Sequence, residues 1–359
     1  MDWKGVAGEL TEEVGNMKLL EDVVSASVAT AKAGRLRLHE EDGHIYEARC
    51  QTHSLFIMPF GAGKRAMIVG NVAEAVGLEH CVRLTDFTEP GILGTVTRDR
   101  QYEDGAAVRA AMKGLLLCDE VQRLSRRARD ALLALLEDQE YGRGLGFMVP
   151  YPIHKDGDGF SVHVEGGVIN VHARFSSVFA GLYLSRKRLT DLALLSRFIP
   201  IVLQVECRDI YDLVRGRRKL NVKARPAPVG DIEFPNYLRF VDRHERVAEK
   251  LPFKAEPGFY GRNVLDVARL AASFAIRTGS AEVEDEHYER ALNFVPLTLH
   301  NCVASTLTLT EYRVLSLFYA HPGIRQGEVA SKLGLSDRQI RACVSRLKQV
   351  GLLWGGHQL

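Results

Sequence analysis

The sequence predicts an α/β protein: a parallel sheet with helices on both faces, then an all-helical subdomain, then a C-terminal winged helix. Three observations predict it. Between His53 and Glu206, short apolar runs alternate with amphipathic stretches, which is the pattern of βαβ units. After Glu206 the strand-like runs stop and helical periodicity takes over. At Thr308-Leu309-Thr310-Glu311 a helix-start signal opens a third unit with helix-turn-helix spacing. The expected units are residues 1–206, 207–305 and 306–359.

Taken in order, the first 50 residues read as a helix over Leu20 to Lys32 and a hairpin around Glu41-Asp42-Gly43. The strands expected next are Leu55–Met58, Cys81–Thr85, Leu115–Cys118, Ser176–Leu182 and Pro200–Val205. Their apolar runs lack strict alternation, so both faces of the sheet are covered. Helices are expected over Asp209–Val214, Phe234–Leu251, Gly261–Thr278 and Asp285–Asn301, interrupted by the proline-rich loop Arg225-Pro226-Ala227-Pro228.

With 46% apolar and 26% charged residues in 359, the chain is neither disordered nor fibrous. Its net charge of +2 leaves nucleic-acid binding to be decided by local charge. Cys50, Cys81, Cys118, Cys207, Cys302 and Cys343 are scattered with no C-x-x-C pair, which speaks against a zinc site or a disulfide framework. Met1 to Glu12 has no signal-peptide character, and no apolar run reaches the ~18 residues of a membrane span. A cytoplasmic protein with no membrane partner is expected.

The strand Leu55–Met58 runs into Pro59-Phe60-Gly61-Ala62-Gly63-Lys64 and then a helix. Gly61 and Gly63 let backbone N–H groups approach phosphate oxygens, Lys64 adds a charge, and the helix start adds its dipole. The full pattern G-x-x-x-x-G-K-[ST] is not met. Met58 stands at the first glycine, and Arg65 replaces the hydroxyl residue that ligates Mg²⁺. About 55 residues after that loop, the apolar run Gly114 to Cys118 ends in Asp119-Glu120. In nucleotide hydrolases such an Asp holds the metal and the Glu orients the attacking water. Arg197 in Leu194-Leu195-Ser196-Arg197-Phe198 and Arg262 in Gly261-Arg262-Asn263 complete a set that could stabilise charge on a transferring phosphate.

This order of elements resembles the AAA+ ATPases and, within them, the minichromosome maintenance (MCM) group. The resemblance extends to Gly91–Asp99, Ala106–Gly114, Arg262–Ala271 and Val283-Glu284-Asp285, and covers roughly residues 50–359. It implies a P-loop domain, a helical lid and a winged helix. It also implies ATP and Mg²⁺ as cofactors and a DNA-translocating homo-hexamer, or association with another MCM-type ring, as in replicative helicases. Gly61, Gly63, Lys64, Arg65, Asp119 and Tyr183 would bind the nucleotide, Asp119 also the metal, and Glu120 would activate water. Arg197 and Arg262 would come from the neighbouring subunit. A pore hairpin would fall between Gly146 and Asn170, turning at Lys155 to Gly159, with Lys155 and His154 near DNA. The sensor-1 asparagine of the group falls at about Tyr183, and the group's N-terminal OB and zinc module has no counterpart here. Met58, Arg65 and Tyr183 put hydrolysis in doubt, and Arg65 could hold phosphate instead.

In the last unit, Thr310–Ala320, Gly327–Leu333 and Asp337–Val350 read as three helices with a Gly334-Leu335-Ser336 turn. Ile340, Val344 and Leu347 form the inward stripe of the third, and Arg338, Arg341, Ser345 and Lys348 lie opposite. Basic residues outnumber acidic ones here, which suits DNA phosphates. Three functions therefore compete: an ATP-driven DNA motor, a degenerate DNA-binding paralogue with little hydrolysis, and a MoxR- or chelatase-like protein remodeller. The winged helix opposes the third.

Overall fold

The structure, a computed structural model, describes residues 13–359 apart from 97–101, 137–153, 157–158, 165–166, 173, 183–191, 204–207, 226–227, 252–256, 322 and 354–359. Its centre is a five-stranded parallel sheet. The strand order is Ile199–Val202, His53–Met58, Ser176–Leu182, Leu115–Cys118 and Cys81–Arg83. All five expected strands are present, in short and almost wholly buried form, as befits a sheet covered on both faces. The architecture is the α/β P-loop sheet with a helical subdomain and a C-terminal winged helix that the AAA+ resemblance led us to expect.

The strand that feeds the glycine loop, His53–Met58, and the strand that ends at Asp119 are not neighbours. Ser176–Leu182 lies between them and pairs in parallel with both. All parallel strands point the same way, so the glycine loop and Asp119-Glu120 emerge at one edge of the sheet. That carboxyl edge is where open α/β sheets place ligands. Tyr183, the next residue after the middle strand, lies outside the described residues.

A three-stranded antiparallel sheet of His154–Asp156, Gly159–Val164 and Gly167–His172 stands where the pore hairpin was expected. Lys155 pairs in register with Phe160.

The subdomain predicted as all-helical contributes one short strand, which corrects the expectation that strands end at Glu206. Ile232–Phe234, whose last residue was expected to begin the helix Phe234–Leu251, pairs in parallel with Arg35–His39, and the helix itself is Tyr237–Ala248. Arg35–His39 forms the expected hairpin with Ile45–Arg49, with Gly43 at φ 81° in the turn. Ile232–Phe234 has only three residues, so its pairing partner is what defines it as a strand. The helix read over Asp285 to Asn301 is two helices, Asp285–Leu292 and Val295–Ala304, and Pro296 starts the second.

The first helix, Glu13–Ala29, packs along the long helix Pro257–Thr278. Buried Asp22 accepts hydrogen bonds from Arg277 at 2.9 Å and from Arg290 at 3.2 Å. The N-terminal segment is thus knitted to the helical subdomain as well as to the sheet. One contiguous core runs through all these elements and into the winged helix.

Candidate functional site

The glycine loop takes its shape from two left-handed residues, Gly61 at φ 76° and Gly63 at φ 78°. Lys64 and Arg65 then open a helical run that continues as a π-helix over Ala66–Val72 and an α-helix over Ala73–Val76. Lys64 is buried and Arg65 exposed. Burial lowers the Lys64 ammonium from its usual value, and the carboxylates of Glu120 and Asp119 pull it back up. Asn71, within the π-helical turn, donates through Nδ2 to the backbone oxygen of Leu213 at 2.7 Å, fastening the run to the helix Arg208–Val214.

A cavity of about 480 Å³ lies above this loop, lined by Phe60, Gly61, Gly63, Lys64, Arg65, Arg83, Leu84, Thr85, Phe87, Asp119, Glu120 and Arg123. The structure therefore brings together the loop and the paired carboxylates separated by 55 residues of sequence. It also adds two residues that sequence reasoning missed as part of this site. Arg83 Nη2 donates to Asp119 Oδ2 at 2.7 Å. Arg123, its guanidinium 4.7 Å from the Phe87 ring centroid, lies 3.4 Å from Glu120 Oε2. An arginine closing an otherwise apolar three-residue strand was the only sequence signal for Arg83.

A second cavity, about 560 Å³ and mostly apolar, shares Phe60 and Gly61 with the first. Its other walls are Pro59, Ala62, Leu203 and Tyr211, and then Leu309, Tyr312, Arg313, Ser316, Leu317, Ala320 and Leu333 of the winged helix. Phe60 is 89% exposed and Tyr211 38% exposed, unusual for large apolar groups on a surface. The glycine loop is thus the partition between a charged chamber and an apolar one.

A divalent cation does not fit the charged chamber as it stands. The position that would give a metal-ligating hydroxyl carries the Arg65 guanidinium, and the candidate metal ligand Asp119 is already paired with Arg83. Four cations, Lys64, Arg65, Arg83 and Arg123, face two carboxylates there. That surplus of positive charge opposes a further divalent cation. Phosphate does fit: the glycine backbone, Lys64 and the surplus positive charge are all suited to an anion.

Arg197 and Arg262 lie elsewhere. Neither is among the described residues that line the charged chamber. Phe198 is buried against Phe179, with ring centroids 5.2 Å apart, and this fixes the turn that carries Arg197. Arg262 lies one turn into the helix Pro257–Thr278, where its Nε donates to the Ser196 backbone oxygen at 3.3 Å. Beneath them burial pushes the Asp266 carboxyl up to about 7, against the opposing pull of Arg262 and Arg197. Asp266 also accepts from Arg269 at 2.9 Å. The two arginines predicted to act together therefore share one electrostatic cluster.

In the winged helix, Leu309–Ala320, Gln326–Leu333 and Asp337–Gln349 match the expected helices closely. Thr308 with Glu311, and Ser336 with Gln339, form capping boxes, and Gly334 ends the second helix at φ 64°. Ile340, Cys343, Val344 and Leu347 are buried, and Arg338, Arg341, Arg346 and Lys348 are exposed on the third helix. Gly351-Leu352-Leu353-Trp354 reads in the sequence as a strand turning at Gly355-Gly356, the start of a wing; Gly351 to Leu353 instead form a turn, and residues 354–359 lie outside the described residues. Lys155 lies on the strand His154–Asp156.

Residues 307–353 match the winged helix-turn-helix DNA-binding family. None of the curated proteins matches the chain. Among solved structures the chain is similar to a full-length MCM homolog from Methanopyrus kandleri, at 20% identity and a TM-score of 0.47. That likeness covers 81% of this chain and 56% of the other, so the chain spans little more than half of that protein's length. No described helix is long and apolar enough to cross a membrane.

Proposed function

We infer that the chain is an MCM-like AAA+ protein that binds DNA through its winged helix and a nucleoside triphosphate, ATP, at the glycine loop, with weak or no hydrolysis. The observation that carries this reading is the pair of chambers meeting at Phe60-Gly61, one cationic and one apolar. A nucleotide has this division: a polyanion joined to a planar, largely apolar base. Gly61, Gly63, Lys64 and Arg65 would hold phosphates, and the apolar chamber between Tyr211 and the winged helix would take the base.

Weak turnover follows from the acids. Asp119 and Glu120 are both engaged by arginines of their own chain, so neither is poised to hold a metal or to polarise water. Loss of one preorganised group costs about two orders of magnitude in rate. Such a protein acts by binding, as a DNA-bound regulator or as a partner of a related ring. The reading as an active hexameric motor rests on Glu120, Arg197 and Arg262, all of which are present.

The deciding experiment is ATP hydrolysis with and without DNA for the wild type, Lys64→Ala and Glu120→Gln. Little turnover in all three, with DNA binding kept, is the expected result. Robust wild-type turnover that both changes abolish would overturn it in favour of the motor.

A further inference from the structure

We propose that the phosphate site works without a divalent cation, Arg83 being the internal charge that takes the metal's place, so that the chain prefers metal-free nucleoside triphosphate to its magnesium complex. This rests on the nucleotide reading above.

The Arg83–Asp119 pair is set by the sheet. Arg83 ends the edge strand Cys81–Arg83 and lies in register with Leu117, two residues before Asp119 on the adjacent strand. The Leu84 backbone N–H continues the ladder to Leu117 O at 2.7 Å. The guanidinium therefore reaches the carboxylate from a fixed neighbouring strand, and the Asp119 side chain is only 7% exposed. A charge-assisted hydrogen bond to so buried a carboxylate is among the stronger polar contacts a protein makes, and removing one partner leaves the other charge uncompensated. A metal ion seeking Asp119 must displace Arg83 and then lie beside it.

The surrounding charges reinforce the exclusion. Glu120, the other carboxylate of the chamber, has Arg123 at 3.4 Å. Arg65 is exposed at the position where a metal-ligating hydroxyl would stand. The chamber thus has a surplus of positive charge before any ligand arrives. Metal-free triphosphate carries more negative charge than its magnesium complex and matches that surplus better. In this arrangement Arg83 has two roles: it holds Asp119 away from metal, and it presents its remaining N–H groups to the chamber as phosphate donors.

The test is calorimetric titration of the full chain with ATP, in EDTA and in magnesium chloride. Wild type is expected to bind more tightly in EDTA than in magnesium, and equal or weaker binding in EDTA overturns the preference. Arg83→Ala is expected to lose about tenfold or more of its affinity in EDTA, and to regain affinity when magnesium is added, because Asp119 is released. The double change R65T/R83A, which restores a hydroxyl and a free carboxylate, is expected to bind Mn²⁺ together with ATP, read by the Mn²⁺ electron paramagnetic resonance spectrum. Wild type is expected to give no such protein-bound manganese signal. Wild-type binding that requires magnesium, or a wild-type manganese–ATP signal, overturns the metal-free site while leaving nucleotide binding intact. Absence of ATP binding in both buffers overturns the nucleotide reading itself. Should the variants fail to fold, the wild-type comparison in the two buffers still decides.

Discussion

Val214 stands against the bare face of Gly63: a β-carbon built on that glycine would lie 2.3 Å from Val214 Cγ1. The glycine loop is therefore held from outside the sheet, by the last residue of the helix Arg208–Val214, as well as by its own backbone. Two requirements for glycine coincide here, a left-handed φ and a neighbour in contact.

This separates two glycines that the motif treats alike. Gly61 has φ 76° but open space around its missing side chain. Gly61→Ala should lose ~1 kcal/mol or slightly more from backbone strain alone. Gly63→Ala should lose that and a further ~1–3 kcal/mol from the clash, displacing the Arg208–Val214 helix. Thermal unfolding of the two variants checks this, and Val214→Ala added to Gly63→Ala should recover part of the loss. Equal losses at both glycines would show that Val214 does not brace the loop.

Asp22 supports a different junction. It is 7% exposed at its side chain and holds Arg277, itself 9% exposed, together with Arg290. Asp22→Ala leaves the buried Arg277 without its carboxylate, at a cost of ~3 kcal/mol. The Glu13–Ala29 helix should then detach locally, seen as faster hydrogen exchange in both that helix and Pro257–Thr278. Arg277→Met in the same chain should restore part of the stability, since an apolar side chain is tolerated where an unpaired charge is not.

On the third helix of the winged unit, Arg338, Arg341 and Lys348 are exposed and lie opposite the buried stripe. If each meets one phosphate, every alanine substitution should weaken binding to any DNA sequence. Each should also flatten the slope of log affinity against log salt by about one. A fluorescence-anisotropy salt series measures this. Unchanged slopes in all three variants would remove this helix face from the DNA interface.

Acid stability follows from the buried histidines. Burial pushes His300 down to about 4 and lowers His53 and His244 as well. A depressed folded value means that the unfolded chain takes up protons that the folded one refuses. Stability is therefore fully present above pH ~6.5 and falls as the pH drops towards 4. His300 alone accounts for ~3 kcal/mol across that window. His300→Phe keeps an aromatic ring against Tyr319, whose centroid is 5.9 Å away, and removes the titration. Urea unfolding at several pH values should show a shallower acid loss in the variant; an identical pH slope would contradict the assignment.

What could be read directly from the chain was whatever depends on near neighbours in sequence. The strand–glycine–lysine–helix unit, the Thr308/Glu311 and Ser336/Gln339 capping boxes and the Ile340, Val344, Leu347 stripe all lie within a few turns, and propensity and periodicity act over that range. The short strand Ile232–Phe234 escaped for the opposite reason: three residues carry too little pattern, and only pairing with Arg35–His39 makes them a strand. The same holds at the site. Sequence placed Asp119 and Glu120 after a buried strand and Arg65 in the loop, but gave no reason to join Asp119 to an arginine 36 residues away. That contact exists because two strands, distinct in sequence, lie side by side with a fixed register, and it changes a carboxylate suited to metal into one already neutralised. Val214 over Gly63 and the winged helix beside Phe60 are likewise products of packing between units. The residue types came from the sequence; their partners, and hence the charge and shape of the site, were decided by the tertiary structure.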